Sequence, residues 1–174
     1  MRKVVGLMAV VSLLVFGGMV LTAQGADKLT SSEKAFIKDA ASGGDMEAEL
    51  GKMAQANGSA QEVKDFGKRM ETDHTKAGAE LKALAAQNNL QLPAQMERKD
   101  KAMVDKLSKY TGAEFDKKYM HAMVKDHKKD VAKFKAASKK AKDPALKQWI
   151  DKTLPTLEEH LELAKSTAAK VGAK

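Results

Sequence analysis

Apolar and polar residues repeat with the period of an α-helix along the stretch from Phe115 to Phe134. At 100° per residue, one buried face and one lysine-rich face lie on opposite sides of this helix. The first face contains Asp116, Tyr119, Met120, Met123, His127, Val131 and Phe134, and the second contains Lys117, Lys118, Lys125, Lys128, Lys129, Lys133 and Lys135. His127 lies at the midpoint of the buried face, where another apolar residue would be expected. The stretch therefore predicts a buried helix face that carries a histidine.

The same period predicts three more long helices and one short helix. Thr30, Ser31 or Ser32 offers an N-cap for the first helix. The short helix covers about residues 94–110, and Asp143 followed by Pro144 is typical of the start of the last helix. The five predicted helices end near residues 57, 87, 110, 140 and 171. The inward stripe of the first helix is predicted to be Phe36, Ala40, Gly43, Glu47, Leu50 and Ala54.

These elements predict an all-α fold for residues 26–174, namely a four-helix bundle with an extra short helix between its second and third long helices. The composition agrees with this prediction, because the chain has only three prolines and is rich in lysine, alanine, glutamate and leucine. A chain of 174 residues is sufficient for one such domain.

Residues 1–25 are predicted to be a signal peptide. Arg2 and Lys3 precede an apolar run from Val4 to about Leu21, and the small residues Ala23 and Gly25 suit a cleavage site. We therefore expect a periplasmic or secreted protein. The alternative is an uncleaved membrane anchor, because the run approaches the roughly 20 residues that span a bilayer. The sequence has no cysteine, which excludes disulfides and thiolate ligands.

The positive charge is concentrated in one part of the chain. The formal net charge is +8, and residues 98–152 contain 17 Lys and Arg against 8 Asp and Glu. A lysine-rich face of this kind could bind an anionic component of the envelope, although most such faces are only solvated. Aromatic residues are not interleaved with the lysines, so we do not expect nucleic acid as a partner. The sequence does not indicate an oligomeric state.

One polar residue lies on the inward face of each predicted long helix: Glu47, His74, His127 and His160. Glu47 is 12 residues before Ser59 and His74 is 15 residues after it, so their heights differ by only about 4–5 Å at 1.5 Å per residue. A similar count about Lys142 places His127 and His160 at one level. Imidazoles and a carboxylate that converge in this way are ligands for zinc, iron or copper. Asp116, Tyr119 and Glu71 are candidates of second rank.

The alternative interpretation is a buried hydrogen-bond network. In that network Glu47 and Asp116 would satisfy the three imidazoles and fix the register of the helices. Met70, Met120 and Met123 lie near the same level, and we interpret them as core residues rather than thioether ligands. His121 falls on the outer face and is not a candidate.

Four segments resemble the helix motifs of a family of exported bacterial proteins, the domain of unknown function 4142, which is regarded as ferritin-like. These segments are MEAELGKMA, DFGKRMETDH, FDKKYMHAMVKDH and LPTLEEHLELA, and the resemblance covers about residues 32–168. It implies a ferritin-like bundle in an exported protein and implies almost nothing about activity. Glu71 and His74 form a Glu-x-x-His pair, but Leu157 occupies the corresponding position before His160, so the symmetric di-iron pattern is broken.

Three functions follow as hypotheses. The first is a metal-binding bundle that sequesters or senses a transition metal. The second is a non-enzymatic envelope protein whose polar centre is structural and whose lysine-rich surface binds a partner. The third is oxidase or peroxidase chemistry at a di-metal site, which needs bridging carboxylates that these motifs hardly supply. No nucleophile triad or phosphate-binding loop is recognisable, so the sequence favours a role without catalysis.

Overall fold

The structure is a computed structural model that describes residues 29–173. The described chain is helical and contains no strand. Its helices are α1 (Ser31–Asn57), α2 (Gln61–Gln87), α3 (Arg98–Leu107), α4 (Gly112–Lys140) and α5 (Pro144–Lys170). The all-α prediction is therefore confirmed, with a shorter α3 than expected. The predicted signal peptide, residues 1–25, lies outside the described residues. Within residues 29–173, no helix has both the length and the apolarity to cross a bilayer.

The four long helices pack around a common interior. α1 packs mainly against α2, and α4 mainly against α5, while contacts between α2 and α5 and between α1 and α4 complete the arrangement. The short α3 lies against α1 and α4. Ser42 in α1 fixes it there, because the Ser42 hydroxyl donates to the Asp100 carboxylate and accepts from the Glu97 backbone N–H.

The ends of α1 and α5 are joined by Glu33. Thr30 and Glu33 form a capping box, in which the Thr30 hydroxyl accepts from the Glu33 backbone N–H and the Glu33 carboxylate accepts from the Thr30 N–H at 2.8 Å. The same carboxylate accepts from the backbone N–H groups of Lys142 and Asp143 at 2.7 and 2.9 Å. Burial raises the pKa of Glu33, but these hydrogen bonds outweigh it and lower the pKa to about 2. One carboxylate thus holds the α4–α5 connection against the start of α1.

Asp116 has a capping role rather than a place near the histidines. α2 begins after Ala60, whose side chain cannot cap a helix. The carboxylate of Asp116, from the first turn of α4, accepts from the Ala60 N–H at 2.9 Å and from the Ser59 N–H at 3.1 Å. It also accepts from the Ser59 hydroxyl. Asp116, which is distant in sequence, therefore caps the N-terminus of α2 in place of a local side chain.

The apolar core is divided into two clusters by a polar layer. One cluster includes Met70, Met123 and Ala164, and the other includes Leu81, Val131 and Leu157. On α2, α4 and α5 a histidine separates the two clusters: His74, His127 and His160. On α1, Glu47 follows Met46 at the same boundary. The four polar residues of the sequence analysis therefore occupy one layer across the protein interior.

The α1 face toward the second cluster is rotated from its predicted position. Ile37 and Ala41 are buried there, whereas Phe36 and Ala40 are only half-buried. Phe36 instead packs edge-on against Phe134 of α4, with ring centroids 5.1 Å apart. Phe36 and Ala40, predicted to lie on the inward stripe, do pack against the second cluster, but at its edge. The buried positions are one residue further along the helix, at Ile37 and Ala41.

Two glycines allow α1 and α2 to approach closely one turn from the polar layer. A Cβ atom built on Gly51 would lie 2.5 Å from the Gly67 carbonyl oxygen and 2.8 Å from the Glu71 backbone nitrogen. A Cβ atom on Gly67 would lie 2.7 Å from the Gly51 carbonyl oxygen. Only residues without a side chain fit at this crossing, which brings Glu47 of α1 and His74 of α2 within contact.

We expect Gly51→Ala to lower the free energy of unfolding by about 1–3 kcal/mol, because the added methyl group meets backbone that cannot move aside. Gly43→Ala is the matched control on the same helix, since a Cβ atom there has nothing within 4 Å. It should stabilise the protein by about 0.5–1 kcal/mol through helix propensity. Urea unfolding followed by circular dichroism measures both variants. Equal stabilities would show that α1 and α2 do not meet at Gly51.

Candidate metal centre

The candidate site is the polar layer itself, with one side chain from each long helix. Glu47, His74, His127 and His160 have exposed fractions of 3%, 7%, 0% and 0%. One ring nitrogen from each histidine lies within 4.8 Å of the corresponding nitrogens of the other two. The ring centroids are 5.3 to 5.9 Å apart. Three imidazoles on three different helices therefore converge on one buried point.

Two of the three imidazoles are oriented by a hydrogen bond from one ring nitrogen. His127 Nδ1 lies 3.0 Å from the Met123 carbonyl oxygen, and His160 Nε2 lies 2.9 Å from Asp73 Oδ2. The carbonyl and the carboxylate accept, so these ring nitrogens carry the protons and the other nitrogens of the two neutral rings carry lone pairs. His74 Nδ1 lies 3.1 Å from Glu47 Oε2.

The inward nitrogens have no hydrogen-bond partner among the described residues. The buried polar atoms in this position are His74 Nε2, His127 Nε2, His160 Nδ1, Glu47 Oε1 and the Tyr119 hydroxyl oxygen. A buried polar atom without a partner is strongly disfavoured, and few occur in a folded domain. Glu47 Oε1 lies 3.5 Å from His127 Nε2, where two lone pairs face each other unless a proton or a cation separates them.

Burial keeps the three histidines neutral. Desolvation lowers the pKa of His74 well below its usual value of 6.5, and the neighbouring His127 and His160 lower it further. Burial also lowers the pKa of His127 to about 4. It lowers the pKa of His160, although the hydrogen bond that His160 donates to Asp73 partly offsets this. Neutral imidazole is the form that binds a metal ion.

Burial acts in the opposite direction on the acidic groups. It raises the pKa of Glu47 well above its usual value, and the nearby charges of Asp130 and Asp126 raise it further. Burial likewise raises the pKa of Tyr119, with a further contribution from Glu47. The positive charge of Lys133 lowers the Glu47 pKa, but it does not outweigh burial and the two aspartates.

A cleft between α2 and α5 connects the layer with solvent. Its volume is about 110 Å³, and its walls include Asp73, His74, Thr156 and His160. This cleft is where the side chains of His74 and His160 come nearest to solvent.

The second-rank candidates have different positions in the structure. The Tyr119 hydroxyl is buried and unpartnered, and Glu47 influences its pKa, so Tyr119 stays a candidate. Asp116 caps α2, and Glu71 accepts from the Gln55 side chain at 2.7 Å and lies 3.9 Å from the Lys52 ammonium nitrogen. The structure does not bring Asp116 or Glu71 to the histidines, because α2 turns Glu71 toward the exposed edge of α1. We remove both residues from the candidate site.

The sequence analysis missed Asp73, Asp126 and Asp130. Asp73 precedes His74 on α2, but its hydrogen-bond partner is His160 on α5. The spacing of residues within one helix cannot predict a contact between two helices. Asp126 and Asp130 lie on either side of His127 on α4, and one carboxylate oxygen of each lies within 4.8 Å of a carboxylate oxygen of Glu47. A usable signal existed here, since an i,i+4 pair of aspartates beside an inward histidine is unusual on a helix rich in lysine.

The family model described as domain of unknown function (DUF4142) matches residues 18–167. The chain belongs to this family. The match covers all four long helices and every residue of the polar layer, so the resemblance inferred from the motifs is confirmed. Comparisons with curated proteins and with solved structures found no match.

The depressed histidine pKa values predict how stability depends on pH. The unfolded chain binds protons at histidines below about pH 6.5 while the folded layer does not, so stability is lost as pH falls from 6.5 toward the folded pKa values. Glu47 has a raised pKa and Asp126 a pKa raised to about 6, and both act with the opposite sign. The contribution of His74 to the pH dependence of stability is therefore obtained by comparing the wild type with a His74 variant, because both proteins keep Glu47 and Asp126.

We expect metal-free wild-type protein to lose about 2 kcal/mol more stability than His74→Gln between pH 7.5 and pH 5, because one pKa unit corresponds to about 1.4 kcal/mol. Chemical denaturation in the presence of a chelator at both pH values gives the comparison. Equal pH dependence in the two proteins would mean that folding does not shift the pKa of His74, as for a solvated side chain.

Proposed function

We propose that this protein binds a divalent transition metal ion through His74, His127 and His160, with Glu47 as a fourth ligand, and that it sequesters or senses the metal in the periplasm or outside the cell. The observation that carries the proposal is the convergence of three buried imidazoles, two of them held by hydrogen bonds to Met123 and Asp73, whose remaining nitrogens have no hydrogen-bond partner among the described residues. Metal-binding histidines have this same pattern of outer hydrogen bonds.

The donor set limits the metal. Three imidazole nitrogens and one carboxylate oxygen suit zinc, copper or iron, and the absence of thiolate disfavours cuprous ion. Glu47 raises the pKa of the Tyr119 hydroxyl, and this neutral hydroxyl could donate a hydrogen bond to a bound carboxylate. A ferritin-like relationship and export through the predicted signal peptide remain part of this proposal. We propose binding and release rather than turnover.

The alternative of a purely structural network is less well supported. That network required Glu47 and Asp116 to satisfy the imidazoles, but Asp116 is engaged by Ser59 and Ala60, and Glu47 contacts only His74 at hydrogen-bond distance. Five buried polar atoms remain without a hydrogen-bond partner in the part of the chain that the structure describes. A network in this state is less favourable than an apolar core of the same shape, whereas a cation would satisfy the lone pairs together.

The lysine-rich face of α4 supports a second role as a surface for an anionic envelope component. Lys125, Lys128 and Lys129 line a groove of about 540 Å³ together with Lys165, above a floor of Val124 and small residues of α5. Lys165 pairs with Glu162, while the three α4 lysines have no ion-pair partner among residues 29–173. This role is compatible with metal binding, because the groove is separate from the polar layer.

Metal binding should raise the melting temperature. A ligand at 100 times its dissociation constant adds about 2.7 kcal/mol when it binds only the folded state. For a domain of this size that corresponds to a rise of roughly 5–10 °C. We expect at least one of Zn²⁺, Cu²⁺ and Fe²⁺ to produce the rise in protein purified without a histidine tag, and His127→Ala to abolish it. Elemental analysis after dialysis gives the stoichiometry.

His121→Ala is the matched control, because His121 lies on the same helix with an exposed side chain. It should keep the full response. Glu47→Gln should weaken the metal affinity while leaving the metal-free protein at least as stable, since it removes a carboxylate from a buried site. An unchanged melting temperature with all three metals would contradict the proposed function.

A further inference from the structure

A second group of ligand atoms adjoins the histidines and shares Glu47 with them. One carboxylate oxygen each from Glu47, Asp126 and Asp130 lies within 4.8 Å of the other two. Glu47 comes from α1, and the two aspartates are one helical turn apart on α4, on either side of His127. Asp126 and Asp130 are half-buried, so this group lies between the buried layer and the solvent.

This group differs from an ordinary acidic patch in the state of Glu47. That side chain is 97% buried, since its exposed fraction is 3%, and its Oε1 atom has no hydrogen-bond partner among the described residues. Solvent therefore does not satisfy this carboxylate as it would satisfy a surface one. Glu47 belongs to both ligand groups. A cation bound by the two aspartates would therefore also lie next to Glu47, which contacts His74.

The positive charge beside the three carboxylates is already engaged. Lys133 Nζ lies 3.0 Å from Asp130 Oδ1 and 2.6 Å from Asp39 Oδ2, so two aspartates share one ammonium group. Asp126 makes no hydrogen bond or ion pair with another described residue. Lys129 and Lys133 act on Asp126 only from a distance beyond ion-pair contact, so no lysine among the described residues directly contacts Asp126 or Glu47. A divalent cation would compensate these partly desolvated carboxylates.

There is room for such a cation next to Glu47. A cavity of about 40 Å³ is lined by Gly43, Gly44, Glu47, Asp130 and Lys133, among others, but not by Asp126. A water molecule occupies roughly 30 Å³, so this cavity has space for an ion or for one of its waters on the Glu47–Asp130 side of the group.

We propose that Glu47, Asp126 and Asp130 form a second divalent-cation site, which shares Glu47 with the histidine site of the proposed function. An all-oxygen ligand set selects hard cations such as Mn²⁺, Ca²⁺ or Mg²⁺, whereas the imidazoles select zinc, copper or iron. The two sites therefore differ in metal preference although they share a ligand. This inference rests on the proposed function only for the sharing of Glu47 between two ions.

Mn²⁺ is the probe, because the electron paramagnetic resonance signal of the free aquo ion reports binding directly. The mature chain is first saturated with Zn²⁺ and then titrated with Mn²⁺. We expect one Mn²⁺ per chain, and we expect Asp126→Asn to weaken Mn²⁺ binding at least tenfold while Zn²⁺ affinity changes less than threefold. If zinc fills both sites, the stoichiometry should instead be two Zn²⁺ per chain, falling to one in Asp126→Asn.

Asp105→Asn is the matched control, since it makes the same charge change at an exposed aspartate of α3 that pairs with Lys101. It should bind Mn²⁺ like the wild type. Asp126→Asn removes a repulsive charge without changing the shape of the side chain, so it should fold.

The inference is overturned if zinc-loaded protein binds no second cation, or if Asp126→Asn and Asp105→Asn bind Mn²⁺ equally. In either case one zinc ion per chain that depends on His127 would leave the proposed function intact. The opposite outcome is also distinguishable. If the protein takes up no zinc but binds Mn²⁺ in a way that depends on Asp126, the carboxylate site is supported and the histidine site is contradicted.

Discussion

The desolvation of four polar side chains in one layer is the constraint on which the rest of the structure depends. An interior made only of apolar side chains would need no further arrangement, but Glu47, His74, His127 and His160 interrupt it on all four long helices. Water is excluded from these groups, so each ring must find its partners within the protein or in a bound ion. His127 and His160 each donate one hydrogen bond to a protein partner, whereas the remaining nitrogen of each ring, and His74 Nε2, have no partner among residues 29–173. The layer therefore favours a function that uses those lone pairs.

Several features elsewhere in the chain keep this layer in register. Asp116 fixes the start of α2 against α4, and Glu33 fixes the α4–α5 connection against the start of α1. The Gly51–Gly67 crossing sets the distance between α1 and α2 one turn from Glu47. These contacts are remote from the imidazoles, but together they determine the relative height and separation of the helices that carry them. A ligand set built from four helices depends on such contacts, because no single helix can position two of its members.

The electrostatics of the layer connect its two sides. On the side of α2 and α5, burial keeps the histidines neutral, and Asp73 holds the His160 ring. On the side of α1 and α4, three carboxylates lie together with Lys133 as the nearby cation. Glu47 belongs to both sides, and its pKa is raised by burial and by the aspartates. The charge on Glu47 therefore depends on what occupies either side, which gives the two groups of ligands a physical means of influencing each other.

The sequence by itself determined the helices and the inward direction of their polar residues, because both follow from a period of 3.6 residues within one helix. It placed Glu47, His74, His127 and His160 at one level from residue counts alone, and the family motifs agreed with that placement. Only the tertiary structure decided which atoms meet. Asp116 and Glu71 lie close enough to the histidine face of their helices for periodicity to include them. In the folded protein, however, Asp116 caps α2 and Glu71 accepts a hydrogen bond from Gln55. The packing of neighbouring helices also brings Asp73 to His160, and Asp126 and Asp130 to Glu47. The hydrogen-bond partners of His127 and His160 come from another turn and from another helix. The periodicity of a single helix contains no information about the distances to side chains of other helices.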